Sequence, residues 1–152
     1  MTGDTPEAPK NGAIDKLSYA RLIPFARHLG FELVKFENGE SEILYTAKPE
    51  HLNTFDVTHG GACMTLLDVT MAAAARSDTP EDGVVTIEMK TSFMQPSVGP
   101  LHARGRLIHR TASLAFVEAT IYDEAERVCA HSTGTFKYVR KRGVIDRLPS
   151  TD

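Results

Sequence analysis

The chain has 152 residues, 17 Lys and Arg against 20 Asp and Glu, and a formal charge of −3. That length suits one domain and buries a core without metal or disulfide staples. Hydrophobic residues at 41% and charged residues at 24% exclude a disordered chain, and the mild acidity leaves no electrostatic footprint for nucleic acid, although a local basic patch for a phosphorylated ligand stays compatible with it.

Residues 1–12, with Gly3, Pro6, Pro9 and Gly12 among polar neighbours, read as a flexible tail without the apolar run of a secretory signal. Over 14–29 the spacing of Ile14, Leu17, Leu22, Phe25 and Leu29 predicts a helix packed on one face, kinked or interrupted at Pro24 and ended by Gly30. Extended runs at 31–37 and 40–47 flank Asn38-Gly39, a strong hairpin signal. A polar connection over 48–58 leads into 60–76, where Ala, Leu and Met predict a helix apolar nearly all round and hence buried on most sides. In that helix Asp68 and Cys63 are the ionisable side chains before Arg76.

The rest is strand-like. Over 84–94 strict alternation puts Val85, Ile87, Met89, Thr91 and Phe93 on one face and Thr86, Glu88, Lys90 and Ser92 on the other. Further strands are expected at 101–110, 114–122 and 128–139, before a tail at 141–152. This order predicts an α+β domain over 13–140, an antiparallel sheet covered by the long helix. Cys63 and Cys129 have the spacing of neither a zinc site nor a disulfide framework, and read as reduced thiols of a cytoplasmic protein. No stretch approaches 18 consecutive apolar residues, so no membrane span is expected.

Asp68 is the leading candidate for chemistry, because a carboxylate on an apolar helix face is costly unless it is used or well bonded. His59-Gly60-Gly61 precedes the helix, and free amides at a helix start can donate to a carbonyl oxygen that gains negative charge. Gly61 and Asp68 lie seven residues apart, on one face but about 10 Å apart along the axis at 1.5 Å per residue. One carbonyl does not easily touch both, so a shared site should draw them from two subunits of a symmetric dimer. Asn53 is a candidate to position water or a substrate oxygen, and Thr86 to orient Asp68. Arg104, Arg106, His109, Arg110 and Lys137 make the strand-rich half basic, which suits a phosphate-bearing ligand. Phosphate-loop, metal-ligand and Gly-x-Ser-x-Gly patterns are absent from the sequence.

Asn53, then His59-Gly60-Gly61, then Asp68 nine residues after the His, together resemble the signature of the PaaI-type hotdog-fold acyl-CoA thioesterases. The likeness runs over about residues 14–139. It implies a six-stranded antiparallel sheet wrapped around the 60–76 helix, and homodimers or homotetramers with sites at the subunit interface. By position, Asp68 would be the catalytic base or nucleophile and the Gly61 amide the carbonyl donor. His59, Asn53 and Thr86 would complete the catalytic set, while Gly60, Phe93, His109, Arg110 and Lys137 would contact substrate or CoA. No cofactor or metal is expected, since CoA belongs to the substrate. Asp56 and Thr111 depart from the family, each standing where many members have Gly. A non-catalytic acyl-CoA sensor and a hotdog hydratase or dehydratase are the other readings; the lack of an attached output domain weighs against the first, the His-Gly-Gly start against the second.

Overall fold

The computed structural model describes residues 23–140. Both tails, and residues 14–22 of the helix expected over 14–29, lie outside the described residues. The first described helix, α1 (Pro24–Leu29), begins at its proline. Pro24 therefore starts this helix rather than kinking it: its fixed φ suits a first helical position, and its missing N–H is one that has no acceptor there. Gly30, at φ 83°, closes α1 by donating its N–H to Ala26 and Arg27 carbonyls.

Strands β1 (Glu32–Glu37) and β2 (Glu40–Thr46) form the expected hairpin, with Asn38 at φ 52° and Gly39 at φ 74°. Those left-handed angles match the twist of the flanking strands, which is why Asn-Gly serves there. A 3-10 turn (Pro49–His51) and a loop lead to α2 (Gly60–Arg76). Then come β3 (Gly83–Phe93), β4 (Pro100–Arg110), β5 (Leu114–Tyr122) and β6 (Val128–Val139). The six strands make one antiparallel sheet in the order β1-β2-β4-β5-β6-β3. Sheet and long helix together are the hotdog arrangement.

The core lies between α2 and the sheet. Leu66, Leu67, Met71 and three consecutive alanines, Ala73 to Ala75, are buried with Ala103, Val117, Ala119 and Phe136. Each buried Leu contributes roughly 1.5–3 kcal/mol by leaving water. The helix sits so close to β4 that a Cβ on Gly105 would lie 2.8 Å from the Thr70 carbonyl oxygen and 2.6 Å from Ser41 Oγ. Ser41 Oγ also donates to that same Thr70 carbonyl at 2.6 Å, tying β2 to the helix.

The strict alternation expected along β3 does not hold. Thr86 stands opposite Phe136 and Glu88 opposite Thr135, so Ile87 is the extra residue of a β-bulge. Val84 and Met89 pack on the core, whereas Val85 and Ile87 are 43% and 55% exposed. A bulge reverses the facing of the residues beyond it. Thr86 consequently looks toward α2, although simple alternation put it with Glu88 and Lys90. β3 ends the sheet and pairs only with β6, so its other edge has no strand partner among the described residues.

Candidate active site

A helix start leaves its first N–H groups without intrahelical acceptors. In α2 the Ala62 and Cys63 amides both donate to the His59 carbonyl, at 2.9 and 3.1 Å. The Gly61 amide donates to Nδ1 of the N-capping His59 at 2.8 Å. Gly60 is left as the first-turn residue whose N–H has no acceptor among the described residues. Sequence reasoning put the carbonyl donor at Gly61; the geometry instead leaves Gly60 open. The exposed His59 ring uses Nδ1 for the cap and keeps Nε2 for solvent or a ligand.

Asp68 lies eight residues beyond Gly60, about 12 Å along the helix axis. It is partly exposed, and its Oδ1 accepts a 2.6 Å hydrogen bond from Thr86 Oγ1. The bulge at Ile87 makes that contact possible by turning Thr86 toward α2. Asp68 Oδ2 has no partner among the described residues, so one carboxylate oxygen is anchored and the other is unengaged there.

Beside the helix start lies a cleft of about 660 Å³. Its walls include Asn53, Phe55, Val57, Gly60, Phe93 and Met94, with Cys63 and Ser97 also lining it. Phe55 is 83% exposed and Phe93 54% exposed, so the walls are apolar and uncovered in one chain. The Phe93 ring lies against Gly60, where an added Cβ would meet it at 3.5 Å. Asn53 Oδ1 accepts the Phe55 and Val57 amides at 2.8 and 3.3 Å, folding the loop on itself. Asp56, at φ 58°, supplies the left-handed residue of that loop, a conformation that Asp tolerates better than most. Neither Asp68 nor Thr86 lines this cleft. One chain thus holds the helix-start donor and the acid in two separate places.

The expected basic patch divides. Arg104 pairs with Glu126 and Arg106 with Glu118, so two of its cations already have carboxylate partners. His109 stacks on Phe116 at 6.2 Å, and the Arg110 guanidinium lies 4.6 Å over the Tyr138 ring. Lys137 stands opposite Leu114, at the same end of the sheet. His109, Arg110 and Lys137 therefore lie at one end of the sheet near the β4–β5 turn, with Arg110 in register with buried Ala115 and His109 with exposed Phe116. Thr111 shapes that turn by accepting the Ser113 and Leu114 amides on its hydroxyl, which is how this chain dispenses with a glycine there.

Two contributors escaped the sequence reading. Ser97 is buried, its backbone carbonyl accepts the Thr58 amide at 3.0 Å, and it lies beside the thiols of Cys63 and Cys129. Both thiols are free, and burial pushes them up from the ordinary thiol range. His51 is the other: a buried imidazole at the stem of the Asn53 loop. Each is a lone polar residue in irregular chain, where no periodicity marks it. Among the described residues no helix is long and apolar enough to cross a membrane, and no three His, Cys, Asp or Glu side chains cluster as metal ligands would.

A family model described as "Thioesterase superfamily" matches residues 55–130, the stretch from the cleft loop to β6. "Putative esterase SSO1253" of Saccharolobus solfataricus is 29% identical over 124 residues, 80% of this chain and 82% of that protein. "Putative esterase TV1331" of Thermoplasma volcanium is 28% identical over 116 residues, covering 76% and 87%. Among solved structures, conserved protein PA5202 from Pseudomonas aeruginosa is similar with a TM-score of 0.74 at 26% identity, over 77% of this chain and 94% of that one. The PaaI protein from the E. coli phenylacetic acid degradation operon has a TM-score of 0.72 over 82% and 96%, and its 18% identity speaks to likeness of fold alone.

Proposed function

This chain belongs to the thioesterase superfamily, and from that premise we propose that it hydrolyses acyl-CoA thioesters to a free carboxylic acid and CoA. The observation that carries the reading is the pairing of an open helix-start amide at Gly60 with an anchored carboxylate at Asp68, too far apart on one helix to share a carbonyl. Two copies remove the difficulty. When the open β3 edge of one copy pairs with that of another, the Asp68–Thr86 unit of each is brought toward the cleft of its partner. The active unit is then a homodimer, or a homotetramer made of two such dimers.

In the reaction the Gly60 N–H and the positive end of α2 polarise the thioester carbonyl. Asp68 either takes a proton from the attacking water or attacks the carbonyl itself, forming an anhydride that water then hydrolyses to the free acid, and Thr86 fixes its orientation in both cases. The C–S bond breaks and the sulfur leaves as a thiolate, which needs little protonation to depart; this suits a site with so few acid groups. Phe55, Phe93 and Met94 receive the acyl group, Asn53 and His59 flank the thioester, and His109, Arg110 and Lys137 meet the CoA phosphates. The two protonated thiols fit a cytoplasmic enzyme.

The test is thiol release from a panel of aliphatic and aromatic acyl-CoAs by wild type and Asp68→Asn. Wild type releases CoA, and the variant loses about 10²-fold or more of the rate. Equal rates would remove Asp68 from the mechanism. Binding without release across the panel would make the protein an acyl-CoA-binding module.

A further inference from the structure

His51 is 8% exposed, and its buried Nε2 has no hydrogen-bond partner among the described residues. Its other nitrogen is heavily used. Nδ1 meets the Tyr45 hydroxyl at 2.8 Å and the Lys48 N–H at 3.1 Å. A backbone N–H only donates, so Nδ1 turns its lone pair toward Lys48 and the ring proton sits on Nε2. The His51 N–H in turn donates to the Lys48 carbonyl at 2.9 Å, closing the 3-10 turn from both sides.

That turn is the stem of the loop that carries the site. The His51 carbonyl accepts the His59 N–H at 2.9 Å, and Leu52 bridges Thr58. Asn53 hangs from one side of this stem, and His59 and Gly60 leave from the other. A shift of His51 therefore moves the His59 backbone directly, and with it the ring that caps Gly61 and the amide of Gly60. The lateral anchor is Tyr45 on β2, itself buried and packed edge-on against Phe31 with ring centres 4.9 Å apart. The chain of contacts from sheet to site thus runs Tyr45, His51, His59, Gly60.

We propose that His51 is a positioning residue of the active site: its Nδ1, clamped between Tyr45 and Lys48, sets the place of the Gly60 amide and of Asn53. The kinetic consequence rests on the hydrolytic reading above, whereas the mechanical one does not. Asn is the informative replacement, because its Oδ1 occupies the place of Nδ1 and accepts from the same donors. Gln puts its oxygen where Nε2 was, and Leu has no acceptor.

The experiment compares wild type, His51→Asn, His51→Gln, His51→Leu and Tyr45→Phe by hydrogen exchange of the substrate-free protein and by steady-state thiol release. In His51→Gln and His51→Leu the amides of 51–61 exchange about tenfold faster or more while the sheet keeps its protection. In the same two variants kcat falls about 30-fold or more and KM changes little, the pattern of a mispositioned donor. His51→Asn recovers most of both losses. If the Leu or Gln variant unfolds, Tyr45→Phe decides the matter, since it removes one oxygen and should speed exchange over 51–61 alone. Unchanged exchange there in Tyr45→Phe, or equal damage by Asn, Gln and Leu, would overturn the proposal. Absence of thiol release by wild type would sink the hydrolytic reading alone, and the exchange data would still decide the role of His51.

Discussion

Thr86 Oγ1 donates to Asp68 Oδ1 at 2.6 Å across the gap between β3 and α2, and the bulge at Ile87 is what brings it there. The bond fixes one oxygen of the carboxylate and leaves the other unengaged, so under the proposed mechanism its loss costs orientation rather than the reacting group. Thr86→Ser keeps the hydroxyl and should hold kcat within about threefold, whereas Thr86→Val keeps the shape and should lower kcat about 10- to 100-fold. Thiol release at saturating acyl-CoA distinguishes the two. A Val variant as fast as wild type would remove Thr86 from the site.

How much of this was legible in sequence depended on whether a feature was local. The α2 boundaries follow from a composition rich in Ala, Leu and Met, with glycines before it and turn residues after it. Asn38-Gly39 marked its hairpin for a stereochemical reason. The side of β3 that Thr86 occupies was not legible, because a bulge is decided by pairing with β6, a partner more than 40 residues away in sequence. The same holds for the place of β3 at the far edge of the sheet. That Gly60 rather than Gly61 keeps a free amide depends on which way the His59 ring turns, and no spacing encodes a rotamer. His51 stood in a polar connection with nothing periodic around it.

Gly105 tests the closeness of helix and sheet. Its missing side chain admits α2 so near that a Cβ would fall 2.8 Å from the Thr70 carbonyl oxygen, which belongs to backbone and cannot swing aside. Gly105→Ala therefore forces the helix outward and loses roughly 1–3 kcal/mol, or on the order of 3–10 °C in Tm for a domain of this size. Calorimetry measures the shift. An unchanged Tm would mean that the helix gives way freely.

Alkaline pH probes the Tyr45 anchor. Burial, first, and the neighbouring Cys63, second, push its hydroxyl from an ordinary 10.0 up to about 12. The unfolded chain releases this proton at lower pH than the folded one, so the folded state is favoured below pH about 10 and loses ground as pH climbs toward 12. Two units correspond to roughly 3 kcal/mol at most. Tyr138, raised mainly by burial, adds a loss of the same sign, and the raised thiols of Cys63 and Cys129 begin theirs at lower pH. Urea unfolding from pH 9 to 12 should show stability falling over this window, less steeply in Tyr45→Phe. Identical slopes in the two proteins would show that Tyr45 ionises with equal ease folded and unfolded.

The two-copy site makes the most demanding prediction. Gly60→Pro removes the open N–H at the first position of α2, where proline is well tolerated, and His59 at φ −58° and ψ 138° already has the extended backbone that a residue before proline prefers. An added Cβ meets Phe93 at 3.5 Å, an ordinary contact, so folding should survive. Alone, this variant should lose about 10²-fold in kcat, the scale of one oxyanion donor. Asp68→Asn should also be inactive alone. Under the proposed two-copy site, a hybrid dimer of the two has one site in which both parts are damaged and one in which both are intact, because the donor would come from one copy and the acid from the other. Mixed and re-associated chains, separated by differential tags, should recover close to half of the wild-type rate per dimer. If donor and acid instead served from the same copy, every site in the hybrid would carry one defect, and no activity would return.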